Sequence, residues 1–186
     1  MKLFLSILIF FVSSIQSFGQ KDSSLFLVED AMRSRRGIDK IVYIDSSISF
    51  WRPFNQLVKK GKAEGFKGIS KVTLQFSPKE IRYLDKVFKK QKAVQWPNNL
   101  FSNCIRINED SLLLLSKDTS SRNHFKRNFG EKYFYFCQPV LIRNGTMAIF
   151  RLAEMLEPSA GYDLVYFYIK KQGKWEQFMF IHAGSW

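Results

Sequence analysis

At 186 residues, the chain is long enough for one domain with a real core. Its 29 Lys and Arg against 16 Asp and Glu give a formal charge of +13, which draws it toward anionic surfaces such as lipid head groups, acidic glycans or nucleic acid. Aromatic residues make up 16%, and Phe dominates with 19 copies, a composition for filling a core rather than for a base-stacking surface.

The N-terminus reads as a secretory signal peptide over residues 1–19. Lys2 is the positive n-region, Leu3 to Val12 the apolar h-region, and Ser17-Phe18-Gly19 a small-x-small cleavage signal. The apolar run falls short of the ~20 residues a membrane span needs, and no later segment is long and apolar enough. The expectation is an exported protein, periplasmic or secreted, with Gln20 as its first mature residue and residues 20–186 as a single domain.

A first helix is expected from Ser24 to Arg36, with Leu25, Val28 and Met32 at helical spacing and Arg33, Arg35 and Arg36 complementing the dipole of its last turn. Lys40–Asp45 reads as a short strand. Trp51, Phe54, Leu57 and Val58 suggest a short helix; after it, Gly61, Gly65 and Gly68 among Lys59, Lys60, Lys62 and Lys67 read as a solvated loop. That loop has no phosphate-binding glycine pattern. Val72–Phe76 reads as a strand feeding a well-marked helix, Ser77 to Lys92. Ser77-Pro78-Lys79-Glu80 is a capping box with proline at the first helical position, and Ile81, Leu84, Val87 and Phe88 form one apolar stripe.

Ile105–Ile107 and Leu112–Ser116 suggest a hairpin, and Lys117–Lys132 a polar loop. Four β-rich runs close the chain: Tyr133–Ile142, Thr146–Leu156, Tyr162–Lys171 and Trp175–Ile181. The turn signals between them are Asn144-Gly145, Pro158 to Gly161 and Gln172-Gly173. Pro139 marks the first run as an edge or bulged strand.

Three pieces together resemble a family of uncharacterised exported bacterial proteins: Phe76-Ser77-Pro78-Lys79-Glu80-Ile81 with the later Gln95-Trp96, Tyr135-Phe136-Cys137-Gln138-Pro139-Val140-Leu141, and Gly161-Tyr162 through to Gly173-Lys174-Trp175. The resemblance spans about residues 70–180. The chain departs from the family pattern at Cys137-Gln138, where the family has serine or lysine, and in its few glycines before Tyr162. The resemblance implies export and an α+β fold, and no activity.

For chemistry, the carboxylates come first. A hairpin between the second and third closing strands would bring Glu154 near Asp163, a pair that acid/base hydrolysis could use, with Glu157 close by. His124, among Arg122, Lys126 and Arg127, and His182, after the last strand, are the two histidines. Cys104 and Cys137 are the two cysteines, and export permits a disulfide between them; the alternative is two buried thiols. Two cysteines without further ligands at a recognisable spacing argue against a metal site, and no cofactor is implied.

The basic helix is the strongest functional feature. Lys79, Arg82, Lys86, Lys89 and Lys90 fall mostly opposite its apolar stripe and form a candidate anion-binding surface. No nucleic-acid motif or aromatic interleaving accompanies them, which argues against nucleic acid as the partner. The expected fold is α+β, an antiparallel β-meander of four to six strands covered on one face by one or two helices. The expected function is non-enzymatic binding of an anionic envelope component or protein partner through the basic surface. The alternative is a small exported hydrolase using Glu154, Asp163 or a histidine.

Overall fold

The computed structural model describes residues 24–35, 38–49, 54–55, 58, 61–91, 93–115, 119–157 and 160–185. The stretch read as a signal peptide (residues 1–19), Arg36, Gly37, Trp51, Leu57, Lys59, Lys60, Lys92 and the Pro158-Ser159 turn signal lie outside them. Among the described residues no helix is long and apolar enough to cross a membrane.

The chain is α+β. In order, the elements are α1 (24–33), β1 (Ile41–Ile44), β2 (Lys62–Lys67), β3 (Ser70–Gln75), α2 (Pro78–Lys90), β4 (Cys104–Ile107), α3 (Glu109–Leu115), α4 (Thr119–Phe129), β5 (Tyr133–Phe136), β6 (Val140–Ile142), β7 (Met147–Glu157), β8 (Ala160–Lys171) and β9 (Lys174–Ser185). The nine strands form one mixed sheet in the order β3-β2-β9-β8-β7-β5-β1-β4, with β6 also paired to β7.

The expected meander is its centre. β5 and β6, β7, β8 and β9 are the four closing runs, joined antiparallel. Gln172 and Gly173 have φ of 48° and 81°, the two positive values a tight type I′ turn requires. The first run is split at Pro139. Phe136 stands opposite Leu152 and Val140 opposite Ile149, so residues 137–139 carry one residue more than β7 does over the same span.

The rest of the sheet corrects the expectation of four to six antiparallel strands. β1 lies between β4 and β5 and runs parallel to both. The chain leaving β4 must therefore travel back along the sheet before it enters β5, and parallel neighbours are reached by a crossover, usually helical. The stretch read as a hairpin strand and a polar loop is this crossover, α3 and α4. Asn108 starts it, since its side-chain oxygen accepts from Asp110 N at 2.8 Å and its carbonyl from Leu112 N at 3.2 Å.

The glycine- and lysine-rich segment is also not all loop. Lys62–Lys67 alternates exposed and buried residues, with Ala63 and Gly65 inward, and pairs with β3 along its whole length. Gly65 is required by proximity: a Cβ there would lie 2.5 Å from the Phe180 carbonyl oxygen of β9. Its missing side chain lets β2 close onto β9, where Phe66 stands opposite Phe180.

Helices cover both faces of the sheet, not one. Along β7 and β8, alternate residues point to opposite sides. Phe150, Tyr166 and Tyr168 point to the first face, where the Tyr168 hydroxyl donates to Asp30 of α1 at 2.9 Å. Ile149 and Phe167, opposite one another, point to the second face, where Phe167 meets Phe76 at the entry to α2. Further along that face, Leu112 of α3 and Phe125 of α4 close over Val42, Ile44 and Tyr133. On the first face, Phe136 stacks on Trp96 and contacts Tyr43 and Phe101.

Candidate functional site

The start of α2 is as the sequence specifies. Ser77 Oγ accepts from Glu80 N at 3.2 Å, and Glu80 returns the bond by accepting from Ser77 N at 2.7 Å. Leu84 and Phe88 are buried, which turns Lys79, Arg82, Lys86, Lys89 and Lys90 to solvent. They are not equivalent. Lys89 pairs with Asp85 at 2.9 Å along the helix, and Glu80 is neutralised by Arg143 at 2.8 Å. Lys86 and Lys90 instead edge a groove of about 650 Å³, floored by Val87, Val140 and Leu141, with the half-exposed Tyr83 at its rim.

A second cationic feature was not singled out from the sequence. β2 and β3 are joined by Gly68-Ile69, with Lys67 opposite Ser70. Gly68 has φ of 60° while Ile69 does not enter the positive region, the pattern of a II′ turn with glycine at its first central position. The turn therefore explains Gly68 and leaves Ile69 unexplained, since nothing at that position asks for a β-branched aliphatic residue. Ile69 is 98% exposed, and Lys67 and Lys71 on either side are exposed as well. The readable signal was Lys67-Gly68-Ile69-Ser70-Lys71, an aliphatic tip between lysines. It becomes legible only once the segment is known to be a hairpin.

Glu154 and Asp163 are both buried, at 4% exposure each. They do not form an acid/base pair. In the β7–β8 register Glu154 stands opposite Tyr162, and Asp163 opposite Ala153, so the two carboxylates point to opposite faces of the sheet. Each is matched separately. Asp163 accepts from Arg151 Nε at 2.8 Å and Nη2 at 2.7 Å, a two-pronged pair, and Arg151 Nη1 also donates to the Ser49 carbonyl. Glu154 lies between Lys132, whose Nζ is 3.0 Å from Oε1, and Arg35, whose Nε is 2.9 Å from Oε2. Arg35 Nε makes no hydrogen bond, so that contact is an ion contact only.

His182 is exposed beside the Glu154 cluster, with its ring edge-on to Phe180 at 5.5 Å. His124 sits on the exposed side of α4, away from it. Among the described residues, no group of histidine, cysteine and carboxylate side chains is arranged to hold a metal ion.

Cys104 and Cys137 are both free thiols, so the disulfide reading is not what the structure shows. They have different partners. Cys104 Sγ donates to the Phe101 carbonyl at 2.9 Å, and Cys137 Sγ accepts from Arg151 N at 3.1 Å. Burial pushes the Cys137 thiol up to about 12, only partly offset by the Arg151 amide and guanidinium. An uncharged buried thiol is a poor nucleophile. A thiol reagent is therefore expected to modify native protein at Cys104 and spare Cys137, with both reacting after denaturation. No reaction in denaturant without reductant would show instead that the two had oxidised to a disulfide.

The chain matches no protein family, no curated protein and no solved structure.

Proposed function

We propose that the chain is an exported, non-enzymatic protein that docks on an anionic lipid surface of the envelope. The observation that carries this reading is Ile69, 98% exposed at a hairpin tip between the exposed Lys67 and Lys71. An aliphatic tip with flanking ammonium groups suits the boundary of a bilayer: the side chain enters the acyl region while the lysines remain among the head-group phosphates. Each such lysine contributes about 1 kcal/mol near an anionic leaflet, and a fully buried isoleucine about 1.5–3 kcal/mol. The net charge of +13 adds a long-range attraction that brings the molecule to the surface. Lys86 and Lys90 on α2 supply a second cationic patch for the same partner.

The test is co-sedimentation with vesicles of phosphatidylcholine alone or mixed with phosphatidylglycerol, at low and high salt. Binding is expected only with the anionic vesicles and is expected to be lost near 1 M salt, where the screening length falls to about 3 Å. Ile69→Ser should weaken it roughly tenfold or more. Lys67→Gln/Lys71→Gln should weaken it further than Lys86→Gln/Lys90→Gln. Equal binding to both vesicle types, or an Ile69→Ser variant that binds like the parent, would overturn the reading.

A further inference from the structure

We infer that the groove between α2 and β6 takes an extended acidic segment of a partner protein, added as a strand to the open edge of β6. This goes beyond vesicle docking, where Lys86 and Lys90 add only general charge. The groove is a slot of about 650 Å³ between two different walls. Tyr83, Lys86, Val87, Lys90 and Gln91 recur at helical spacing on one wall, and the consecutive residues Gln138 to Leu141 make the other.

The ladder of β7 fixes which main-chain groups of β6 face the slot. Thr146 O accepts from Lys170 N at 2.8 Å, so the even-numbered residues of β7, in phase with Thr146, bond toward β8. Arg151 O accepts from Cys137 N at 3.0 Å, so the odd-numbered ones bond toward β5 and β6. Ile149 and Met147 therefore bond their register partners Val140 and Ile142. Leu141, between those two, turns its N–H and C=O away from β7, and β6 has no second strand partner. Among the described residues, nothing bonds either group. A peptide brings an amide and a carbonyl that satisfy both, whereas an acyl chain in the slot would bury them unpaired. That difference selects a peptide over a lipid tail.

The slot is held open at both ends. Arg143 bonds Glu80 at 2.8 Å and the Gln75 carbonyl at 2.7 Å beside the start of α2. Past its end, Gln91 Nε2 donates to the Gln138 carbonyl at 3.0 Å. The helix rises about 16 Å between Glu80 and Gln91, the reach of about five extended residues. The charge of the occupant follows from Lys86 and Lys90, one helical turn apart. Both are exposed and, among the described residues, neither has an ion-pair partner. Val87, Val140 and the half-exposed Tyr83 offer apolar contacts, so the fitting segment alternates acidic and apolar residues.

The test titrates acetyl-Glu-Val-Glu-Val-Glu-amide into the chain and follows backbone amide resonances and their exchange with solvent. The peptide is expected to bind saturably, and exchange of the Leu141 amide should slow severalfold. The Gln-Val-Gln-Val-Gln analogue, or the acidic peptide at about 1 M salt, should bind roughly fivefold more weakly or worse. Lys86→Gln/Lys90→Gln should lose the preference for the acidic peptide. Leu141→Pro removes the outward N–H without breaking the ladder to β7, and should weaken binding severalfold. Should that variant not fold, a peptide N-methylated throughout tests the same edge, since it cannot donate to the Leu141 carbonyl and should not bind. Dodecanoate, a single-chain anionic amphiphile, should neither displace the peptide nor protect Leu141. No saturable binding, equal binding of the neutral analogue, an unprotected Leu141 amide, or displacement by dodecanoate would overturn the proposal. No arm contains a vesicle, so the groove and the lipid-docking tip stand or fall separately.

Discussion

Arg151→Ala is expected to lower the stability of the fold by about 3–5 kcal/mol, one of the two largest effects of a single substitution in this chain. The guanidinium makes a two-pronged pair with Asp163, which is 4% exposed, and ties the 46–49 segment to β7 through the Ser49 carbonyl. Truncation leaves a buried carboxylate with no counter-charge. Much of the loss is that stranded charge, so replacing both partners with apolar residues should recover most of it. Urea denaturation of Arg151→Ala and of Arg151→Met/Asp163→Leu checks this. The single variant should show a much lower midpoint, and the double variant a midpoint near the parent. A single variant within about 1 kcal/mol of the parent would mean that the pair behaves as a solvated surface contact.

Phe136→Ala is expected to cost a similar amount, about 3–5 kcal/mol. Phe136 is fully buried, stacks on Trp96 at 4.6 Å between ring centroids, and also contacts Phe101 and Tyr43. It pins the 94–103 segment onto the first face of the sheet. That segment carries Pro97, whose carbonyl accepts the Tyr43 hydroxyl, and leads into β4. Losing the ring opens a cavity and frees one face of the Trp96 indole. Phe136→Ala should therefore shift tryptophan emission to longer wavelength in the native baseline as well as lowering the denaturation midpoint. Phe136→Leu should lose less than half as much. An unchanged emission with an unchanged midpoint would mean that the segment is held elsewhere.

The candidate sites were legible in unequal parts. The α2 lysines could be placed on one face because a capping box fixes where the helix starts and its apolar residues then fix the phase; Leu84 and Phe88 are buried as that phase requires. Glu154 and Asp163 were identified as residues of interest but paired wrongly. Glu157 stands opposite Ala160, and an unbroken ladder from there would set Glu154 opposite Asp163, but the register shifts by one residue between Glu157 and Met155, and residues one step out of register point to opposite faces. Arg35 and Lys132 had no visible connection to Glu154, since they come from elements joined only by the fold. Ile69 was hidden because alternation of small and charged residues in Lys62–Lys67 is a weak strand signal beside the glycines.

The sequence by itself determined what a few neighbouring residues can decide. The Gln172-Gly173 turn takes its two positive φ values from residue types that tolerate them. Ser77 and Glu80 close the start of α2 between themselves, and Pro139 breaks the ladder beside β7 because it has no amide hydrogen to donate. Only the tertiary structure decided the rest. The placement of β1 between β4 and β5 turned an apparent hairpin and loop into helices, because parallel neighbours need a crossover. The pairing of Lys62–Lys67 with β3 along its whole length, and with β9 at Phe66, turned an apparent loop into a strand. Turn and cap chemistry acts within about four residues, whereas strand order is fixed by apolar surface buried between segments far apart in the chain, and no local pattern records which segments those are.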